Sequence, residues 1–154
     1  MPQRTFQIGV IGAGSCTPEE ADSAYRVGRE IARRGAVLVC GGLGGVMEAA
    51  CQGARDGGGT TVGLLPTDQK DDANPYVDIA IVTGMGHARN AIVAGSSDVI
   101  IAVGGEYGTL SEIALGLTMG KKVISLQGGW EIPGVVITQD SKTAVDMAFK
   151  LFLQ

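Results

Sequence analysis

The sequence predicts a three-layer α/β protein with a doubly wound, mainly parallel sheet of about seven strands. The first observation behind this is the order of segments, because short apolar runs alternate with longer helical segments along the 154 residues. The second is composition: aromatic residues make up only 5%, which indicates the aliphatic core typical of buried parallel sheets. The third is a set of 25 glycines, many of which directly follow the apolar runs. Together these features indicate a Rossmann-like fold in one domain that spans residues 1–154.

The first strand and the first helix have the clearest signals. An apolar run at residues 6–11 predicts the strand, and a glycine-rich loop follows it. Thr17 is expected to cap the helix, with Pro18 at its first position and Glu20 completing a capping box. The helix is expected to end before Gly35, because glycine commonly terminates helices.

The other elements continue the alternation. Further strands are predicted at residues 37–40, 60–65, 77–82, 99–103, 123–126 and 135–138. Helices are expected at residues 46–56, from about residue 85, at 108–119 and from 141. With right-handed crossovers, the predicted strand order is 3-2-1-4-5-6-7, which makes the fourth and fifth strands neighbours.

The composition excludes several classes of protein. The net charge is −4 and no basic run occurs, so no nucleic-acid partner is expected. No apolar run approaches the ~18 residues of a membrane span, and no signal-peptide pattern precedes the first strand, so we expect a cytoplasmic protein without a membrane partner. The three cysteines, Cys16, Cys40 and Cys51, lack metal-binding spacing, which indicates reduced thiols and no metal site.

The glycines cluster where a ligand would bind in such a sheet, outside the carboxyl ends of the strands. Each glycine loop leads into a helix N-terminus, whose free N–H groups and dipole favour an anion. The alternative is that these glycines only allow tight loop packing. Four loops on one edge favour a phosphate-binding cleft, and its candidate residues are Gly12, Gly14, Ser15, Gly41, Gly42, Gly44, Gly104, Gly105, Gly108 and Thr109.

A dinucleotide-binding site is the first function that the loop after the first strand suggests. Gly12 and Gly14 match the start of that motif, but Thr17 occupies its third glycine position. The acidic residue expected after the second strand is replaced by Cys40 and Gly41. The sequence therefore argues against a dehydrogenase.

Two charged residues could add chemistry to this cleft. Glu112, in the helix after the fifth strand, could act as a nucleophile or general base at a sugar carbon. The alternative is a structural role, because Thr109 and Glu112 also have the spacing of a capping box, which spacing alone slightly favours. Arg89, after the fourth strand, could clamp a phosphate or orient Glu112, or could be a solvated helix arginine. His87 is expected to be a surface hydrogen bonder outside the chemistry.

These residues lie in segments that resemble the molybdenum cofactor carrier proteins and the wider Lonely-Guy superfamily, whose members were long mislabelled as lysine decarboxylases. The segments are Thr-Gly-Met-Gly-His-Ala-Arg-Asn at 83–90, Ser-Ser-Asp-Val at 96–99 and the run at 102–112, and the resemblance extends over nearly the whole chain. It implies a Rossmann-like homo-oligomer, either a dimer or a tetramer. The helical segment 113–119, apolar nearly all round, independently predicts a subunit interface.

The resemblance also implies roles for the charged pair. In the Lonely-Guy enzymes an arginine and a glutamate that match Arg89 and Glu112 hydrolyse the N-glycosidic bond of cytokinin nucleoside 5′-monophosphates, and a Pro-Gly-Gly-x-Gly-Thr loop holds the phosphate. This sequence has Gly104 in place of the proline, Glu106 in place of the second glycine and Asn90 in place of a lysine. Both charge changes argue against tight binding and hydrolysis of a nucleoside monophosphate. The carrier subgroup shares the Gly-x-Gly-x-Ala-Arg pattern of residues 84–89 and lacks the proline, so the resemblance favours a carrier.

Two main hypotheses follow. In the first, the chain is a non-catalytic carrier for molybdenum cofactor, or for a similar phosphorylated pterin or nucleotide, and the metal arrives with this ligand. The phosphate would lie on the loop at 104–109, and the loop at 41–44 would close the other side. In the second, the chain is a phosphoribohydrolase that uses Glu112 and Arg89 on a nucleoside 5′-monophosphate. A nucleotide sensor without turnover is a third possibility.

Overall fold

A computed structural model describes residues 4–153 and contains one parallel sheet with helices on both faces. Its strands are β1 (Gln7–Gly12), β2 (Val37–Cys40), β3 (Thr61–Leu65), β4 (Ile79–Val82), β5 (Val99–Val103), β6 (Lys122–Leu126) and β7 (Val135–Ile137). The α-helices are α1 (Pro18–Arg33), α2 (Val46–Asp56), α3 (Arg89–Ser96), α4 (Tyr107–Thr118) and α5 (Ser141–Phe152). Short 3₁₀ turns occupy Lys70–Asp72 and Gly86–Ala88. The predicted fold class is confirmed.

The strand order is β4-β3-β2-β1-β5-β6-β7, so the predicted position of the fourth strand was wrong. β5 pairs with β1, while β4 pairs only with β3 at the edge. The physical reason is burial: every residue of β5 is buried, whereas Ile79 and Ile81 of β4 remain 49% and 45% exposed. The strand order therefore reverses between β1 and β5, which is where doubly wound sheets bind ligands.

Helices α1, α2 and α5 cover one face of the sheet, and α3 and α4 cover the other. The contact between α1 and α2 is unusually close, because a Cβ at Gly28 would overlap the Ala50 carbonyl and one at Gly53 would overlap the Tyr25 carbonyl. These two glycines thus serve helix packing and have no connection with a ligand.

The start of α1 agrees with the sequence prediction. The Thr17 hydroxyl accepts a hydrogen bond from the Glu20 amide at 3.1 Å, and the Glu20 carboxylate accepts one from the Thr17 amide at 2.9 Å. Pro18 occupies the first turn, and Gly35 follows the helix with φ = +82°. This reciprocal cap fixes the loop between β1 and α1 at the sheet edge.

The polar segment after β3 is tied to the glycine loop after β2. The backbone N–H of Asn74 donates to the Gly42 carbonyl at 2.8 Å, and the Asn74 side-chain nitrogen donates to the Leu43 carbonyl at 2.9 Å. The Asn74 side-chain oxygen accepts from the Tyr76 amide at 2.9 Å. One buried asparagine therefore holds two loops together behind the cleft.

Candidate functional site

A cleft of about 280 Å³ opens at the carboxyl ends of β1 and β5, where the strand order reverses. Segments from four connections converge on it: the β1–α1 loop, the β2–α2 connection, the start of α3, and the β5–α4 connection with the first turns of α4. Its lining residues are Gly12, Ala13, Gly14, Ser15, Leu43, Met47, His87, Arg89, Asn90, Glu106, Gly108, Thr109 and Glu112.

The β1–α1 loop forms one wall and is held against the start of α2. The Val46 amide donates to the Ala13 carbonyl at 3.1 Å. Gly45, with φ = +63°, leaves room for that carbonyl, which a Cβ would overlap. Gly14 has open space beside its Cα, whereas Gly12 packs against the Val46 side chain. The wall therefore offers exposed backbone to a ligand on one side and is packed on the other.

Arg89, the first residue of α3, lies beneath the cleft and is only 9% exposed. Its guanidinium packs on the Cα of Gly41, and a side chain at Gly41 would overlap it. Within residues 4–153 the guanidinium forms no hydrogen bond or ion pair, and the buried Nε has no acceptor. Burial lowers the Arg89 pKa, and the charge of Glu112 partly offsets that effect. The cleft thus contains a largely buried cation that no carboxylate of the described residues contacts directly, although Glu112 lies in the same cleft.

Glu112 faces the same cleft from α4 and is also only 9% exposed. Burial raises the pKa of this carboxyl from an ordinary value of 4.5 to about 7, although the Arg89 charge acts to lower it. None of the ion pairs found in the described part of the chain joins the two residues. Near pH 7 the carboxyl therefore exchanges readily between its neutral and ionised forms.

The capping-box interpretation of Thr109 and Glu112 was wrong. α4 begins at Tyr107, preceded by Glu106 with no side-chain cap, so Thr109 lies inside the first turn and Glu112 beyond it. The physical reason is the turn before the helix, where Gly104 and Gly105 adopt φ = +57° and +116° and let α4 start earlier than a cap at Thr109 would require. Glu112 is left free to face the cleft.

The structure brings together seven of the predicted site residues as lining of the cleft: Gly12, Gly14, Ser15, Arg89, Gly108, Thr109 and Glu112. The other five, Gly41, Gly42, Gly44, Gly104 and Gly105, lie behind that lining.

Each of these five glycines leaves room for a neighbouring group that a Cβ would displace or crowd. Gly41 accommodates Arg89, and Gly42 packs on β3. Gly44 faces the Gly14 carbonyl. Gly104 accommodates the Glu20 carboxylate, and Gly105 accommodates the Thr109 side chain.

Six lining residues were not among the predicted site residues: Ala13, Leu43, Met47, His87, Asn90 and Glu106. His87 was expected to lie outside the chemistry, yet it lines the cleft because the 3₁₀ turn Gly86–Ala88 leads directly into Arg89. Its closeness to Arg89 in the sequence was the signal that could have identified it. Leu43 and Met47 add a small apolar surface that no chemical motif marks.

Arg89 and Glu112 share the cleft although β4 and β5 are not neighbours. α3 runs from the edge strand β4 back to β5 and packs against α4. Both helices begin at the carboxyl edge of the sheet, so their first turns face the same opening. Arg89 and Glu112 therefore line the same cleft, as predicted, although the strand order behind that prediction was wrong.

The three thiols are not part of the cleft lining. Cys40 and Cys51 are buried with their Sγ atoms 3.5 Å apart, and Cys16 is half-buried; all three are free thiols. Among residues 4–153, no three histidine, cysteine or carboxylate side chains are grouped to hold a metal ion. In the same part of the chain, each helix is too short or too polar to cross a membrane.

The comparisons with known proteins agree on the fold, but the similar proteins include both cofactor-binding proteins and an enzyme. The profile of the SLOG cluster4 family matches residues 5–150. The molybdenum cofactor binding protein of Rippkaea orientalis is 40% identical, with a TM-score of 0.92 and coverage of 99% of this chain and 100% of that one. The molybdenum cofactor carrier protein of Chlamydomonas reinhardtii is 35% identical, with a TM-score of 0.89 and coverage of 98% and 100%.

The chain is also similar to an enzyme. Over 96 residues it is 35% identical to the cytokinin riboside 5′-monophosphate phosphoribohydrolase of Oryza sativa subsp. japonica. That match covers 60% of this chain and 39% of the enzyme. The likeness to the two cofactor-binding proteins thus extends over the full fold, whereas the likeness to the hydrolase is partial.

Proposed function

The chain belongs to the SLOG cluster4 family, and on that premise we propose that it carries molybdenum cofactor, or a similar phosphorylated pterin or nucleotide, in its cleft without cleaving it. One observation carries this proposal: Arg89 is buried beside the cleft with no hydrogen-bond or ion-pair partner within the described residues. A buried, unpaired charge costs several kcal/mol, and an anionic ligand offsets that cost. The native partner of Arg89 is therefore the phosphate of the ligand.

The rest of the phosphate site is backbone. Gly108 and Thr109 lie in the first turn of α4, where free N–H groups and the helix dipole favour an anion. Gly12, Gly14 and Ser15 face them from the β1–α1 loop. These residues contact the phosphate in our proposal.

The glycines behind the lining act indirectly. Gly104 and Gly105 set the turn that starts α4 at Tyr107, and Gly41 leaves room for the Arg89 guanidinium. Gly42 and Gly44 shape the β2–α2 loop that closes the opposite side. We expect substitutions here to affect the ligand indirectly, by moving the turn before α4, the Arg89 guanidinium or the β2–α2 loop.

Two cleft residues favour carriage over hydrolysis. Glu106 adds a carboxylate to the cleft, and Asn90 is an uncharged amide beside Arg89. Compared with the hydrolases that the sequence resembles, the cleft thus has one carboxylate more and one lysine fewer beside the pair Arg89 and Glu112. The molybdenum is part of the cargo, and the protein acts through the phosphate and the organic ring of the cofactor.

The test is equilibrium binding of isolated molybdenum cofactor to the wild-type protein and to Arg89→Met. We expect saturable binding that weakens at least about tenfold in the variant, because a charge-assisted contact to phosphate is lost. An unrelated acidic protein of the same fold class is the control. Wild-type affinity no better than that of the control overturns the proposal.

A phosphoribohydrolase is the second candidate, and the Glu112 pKa of about 7 favours it. A carboxyl that titrates near neutral pH can activate water or attack the anomeric carbon of ribose, while Arg89 positions it. Incubation with a panel of nucleoside 5′-monophosphates tests this mechanism. Release of free base by the wild type but not by Glu112→Gln would establish hydrolysis. If the wild type releases no base, the hydrolase mechanism is excluded and the carrier function is favoured.

The proposal also includes self-association and a cytoplasmic location. Met119 at the end of α4 is 43% exposed, and Leu115 and Leu117 are only half-buried. An apolar helix surface of this kind supports a homo-oligomer, which light scattering measures directly. The three free thiols suit a reducing compartment.

A further inference from the structure

Two aromatic residues, Tyr107 and Trp130, contact each other next to the segment at 106–109 that lines the cleft. Tyr107 is 81% exposed, and its neighbours Glu106 and Gly108 both line the cleft. Trp130, in the β6–β7 loop, donates its indole N–H to the Glu106 carbonyl at 3.2 Å. The ring centroids of Tyr107 and Trp130 are 6.1 Å apart, with planes tilted by 35°. Trp130 also packs against the apolar cluster between the sheet and helices α3 and α4. It therefore forms a fixed backing for an exposed tyrosine.

The size of the cleft explains why an aromatic group is useful at this position. At about 280 Å³ it lies just below the roughly 300–1,000 Å³ of typical small-molecule pockets. A nucleotide-sized ligand with its phosphate on Gly108 and Thr109 would need more room than a cleft of this volume encloses. The lining offers only Leu43 and Met47 as sizeable apolar side chains, so the cleft itself has little surface for a flat ring.

Resting on the proposed function, we propose that Tyr107, backed by Trp130, is a stacking platform for the planar heterocycle of the phosphorylated ligand. Both a pterin and a purine present a π-face that stacks on a tyrosine ring without hydrogen-bond readout. The platform contributes affinity for the ring, while Arg89 and the backbone N–H groups contribute affinity for the phosphate. The two contributions are separable because they act on different parts of the ligand.

Ligand probes that differ in one part separate these contributions. Molybdenum cofactor and guanosine 5′-monophosphate carry both a ring and a phosphate, whereas ribose 5-phosphate carries only the phosphate. Trp130 is the single tryptophan of the sequence, so its fluorescence reports on ring binding without labelling. Affinities are measured by equilibrium titration for the wild type, Tyr107→Ala and Tyr107→Phe. Because the Tyr107 side chain is exposed, neither substitution disturbs the core.

We expect Tyr107→Ala to bind the ring-bearing probes about tenfold more weakly than the wild type. Affinity for ribose 5-phosphate stays unchanged in that variant, and Tyr107→Phe, which keeps the ring, matches the wild type with all probes. Quenching of Trp130 by the ring-bearing probes, but not by ribose 5-phosphate, further supports the platform.

Three results overturn the inference. Equal affinity of wild type and Tyr107→Ala for the ring-bearing probes would show that the ring lies elsewhere. An oligomer that dissociates in Tyr107→Ala with ligand affinity unchanged would assign this tyrosine to a subunit contact. Failure of the wild type to bind any of the three probes would refute the proposed function itself, and the platform with it.

Discussion

Replacing Arg89 by methionine is expected to stabilise the ligand-free protein while it weakens the anion site. Arg89 is 9% exposed, and its buried Nε has no acceptor among residues 4–153. Methionine is unbranched and flexible, so it fills the space of the arginine stem without a charge. A residue retained for structure would give the opposite result, because its loss would destabilise the fold.

The magnitude follows from the missing partner. A buried donor without an acceptor costs about 1–3 kcal/mol, and Arg89→Met removes that cost. For a chain of this length each kcal/mol changes Tm by roughly 2–4 °C, so we expect an increase of about 2–12 °C. The experiment is best done at about pH 6, below the Glu112 pKa of about 7, where that carboxyl is mostly protonated. Removing the nearby cation then leaves no buried carboxylate unpaired.

Thermal unfolding in phosphate-free buffer, followed by circular dichroism, measures the effect. Arg33→Met, which replaces an exposed arginine at the end of α1, is the matched control and should change Tm little. Adding a phosphorylated ligand should raise the Tm of the wild type and of the control more than that of Arg89→Met, because the variant binds the ligand more weakly. A Tm of Arg89→Met below that of the wild type, or an equal response to the ligand, would refute the reasoning.

Three further predictions concern the cleft and its supports. Because the folded-state pKa of Glu112 is raised from 4.5 to about 7, its contribution to stability is fully present below about pH 4.5 and is lost as pH rises to about 7. The free energy of unfolding measured with urea should therefore fall by about 3 kcal/mol less in Glu112→Gln than in the wild type between these pH values. The same pH dependence in both proteins would contradict the raised pKa of Glu112. Gly41→Ala should displace the Arg89 guanidinium and weaken binding of a phosphorylated ligand about tenfold. Gly95→Ala is the control, because the added Cβ meets only ordinary contacts and should leave the affinity unchanged. Equal affinities of the two variants would show that Arg89 does not act through its present position. Thr17→Ala should lower the free energy of unfolding by about 1 kcal/mol in urea titrations, and no change would contradict the capping role.

The sequence predicted the start of a helix reliably where the capping hydrogen bonds join residues close together in the chain. The Thr17 and Glu20 side chains pair with each other's backbone three residues apart, so the start of α1 was predictable. Thr109 and Glu112 have the same spacing, but Gly104 and Gly105 allow α4 to begin earlier and so remove the cap. Spacing alone does not distinguish the two cases, because the backbone turn before the helix decides which residue caps it.

The position of a strand in the sheet depends on whether helices cover both of its faces. The sequence of one strand segment indicates this only weakly. β5 is apolar throughout and takes the central position, while β4 keeps Ile79 and Ile81 exposed at the edge. Glycine positions likewise have several causes that composition cannot separate. Gly28 permits helix contact, Gly41 permits the Arg89 guanidinium, and Gly14 borders open space in the cleft. Only their three-dimensional neighbours distinguish these roles.

The central claim is that the cleft binds a phosphorylated cofactor through Arg89 and releases it unchanged. Equilibrium dialysis of the wild type and Arg89→Met against isolated molybdenum cofactor, with mass spectrometry of the recovered ligand, tests it most directly. The account predicts saturable binding to the wild type, at least about tenfold weaker binding to the variant, and recovery of intact cofactor. Equal binding to both proteins, or recovery of a cleaved ligand from the wild type alone, would contradict it.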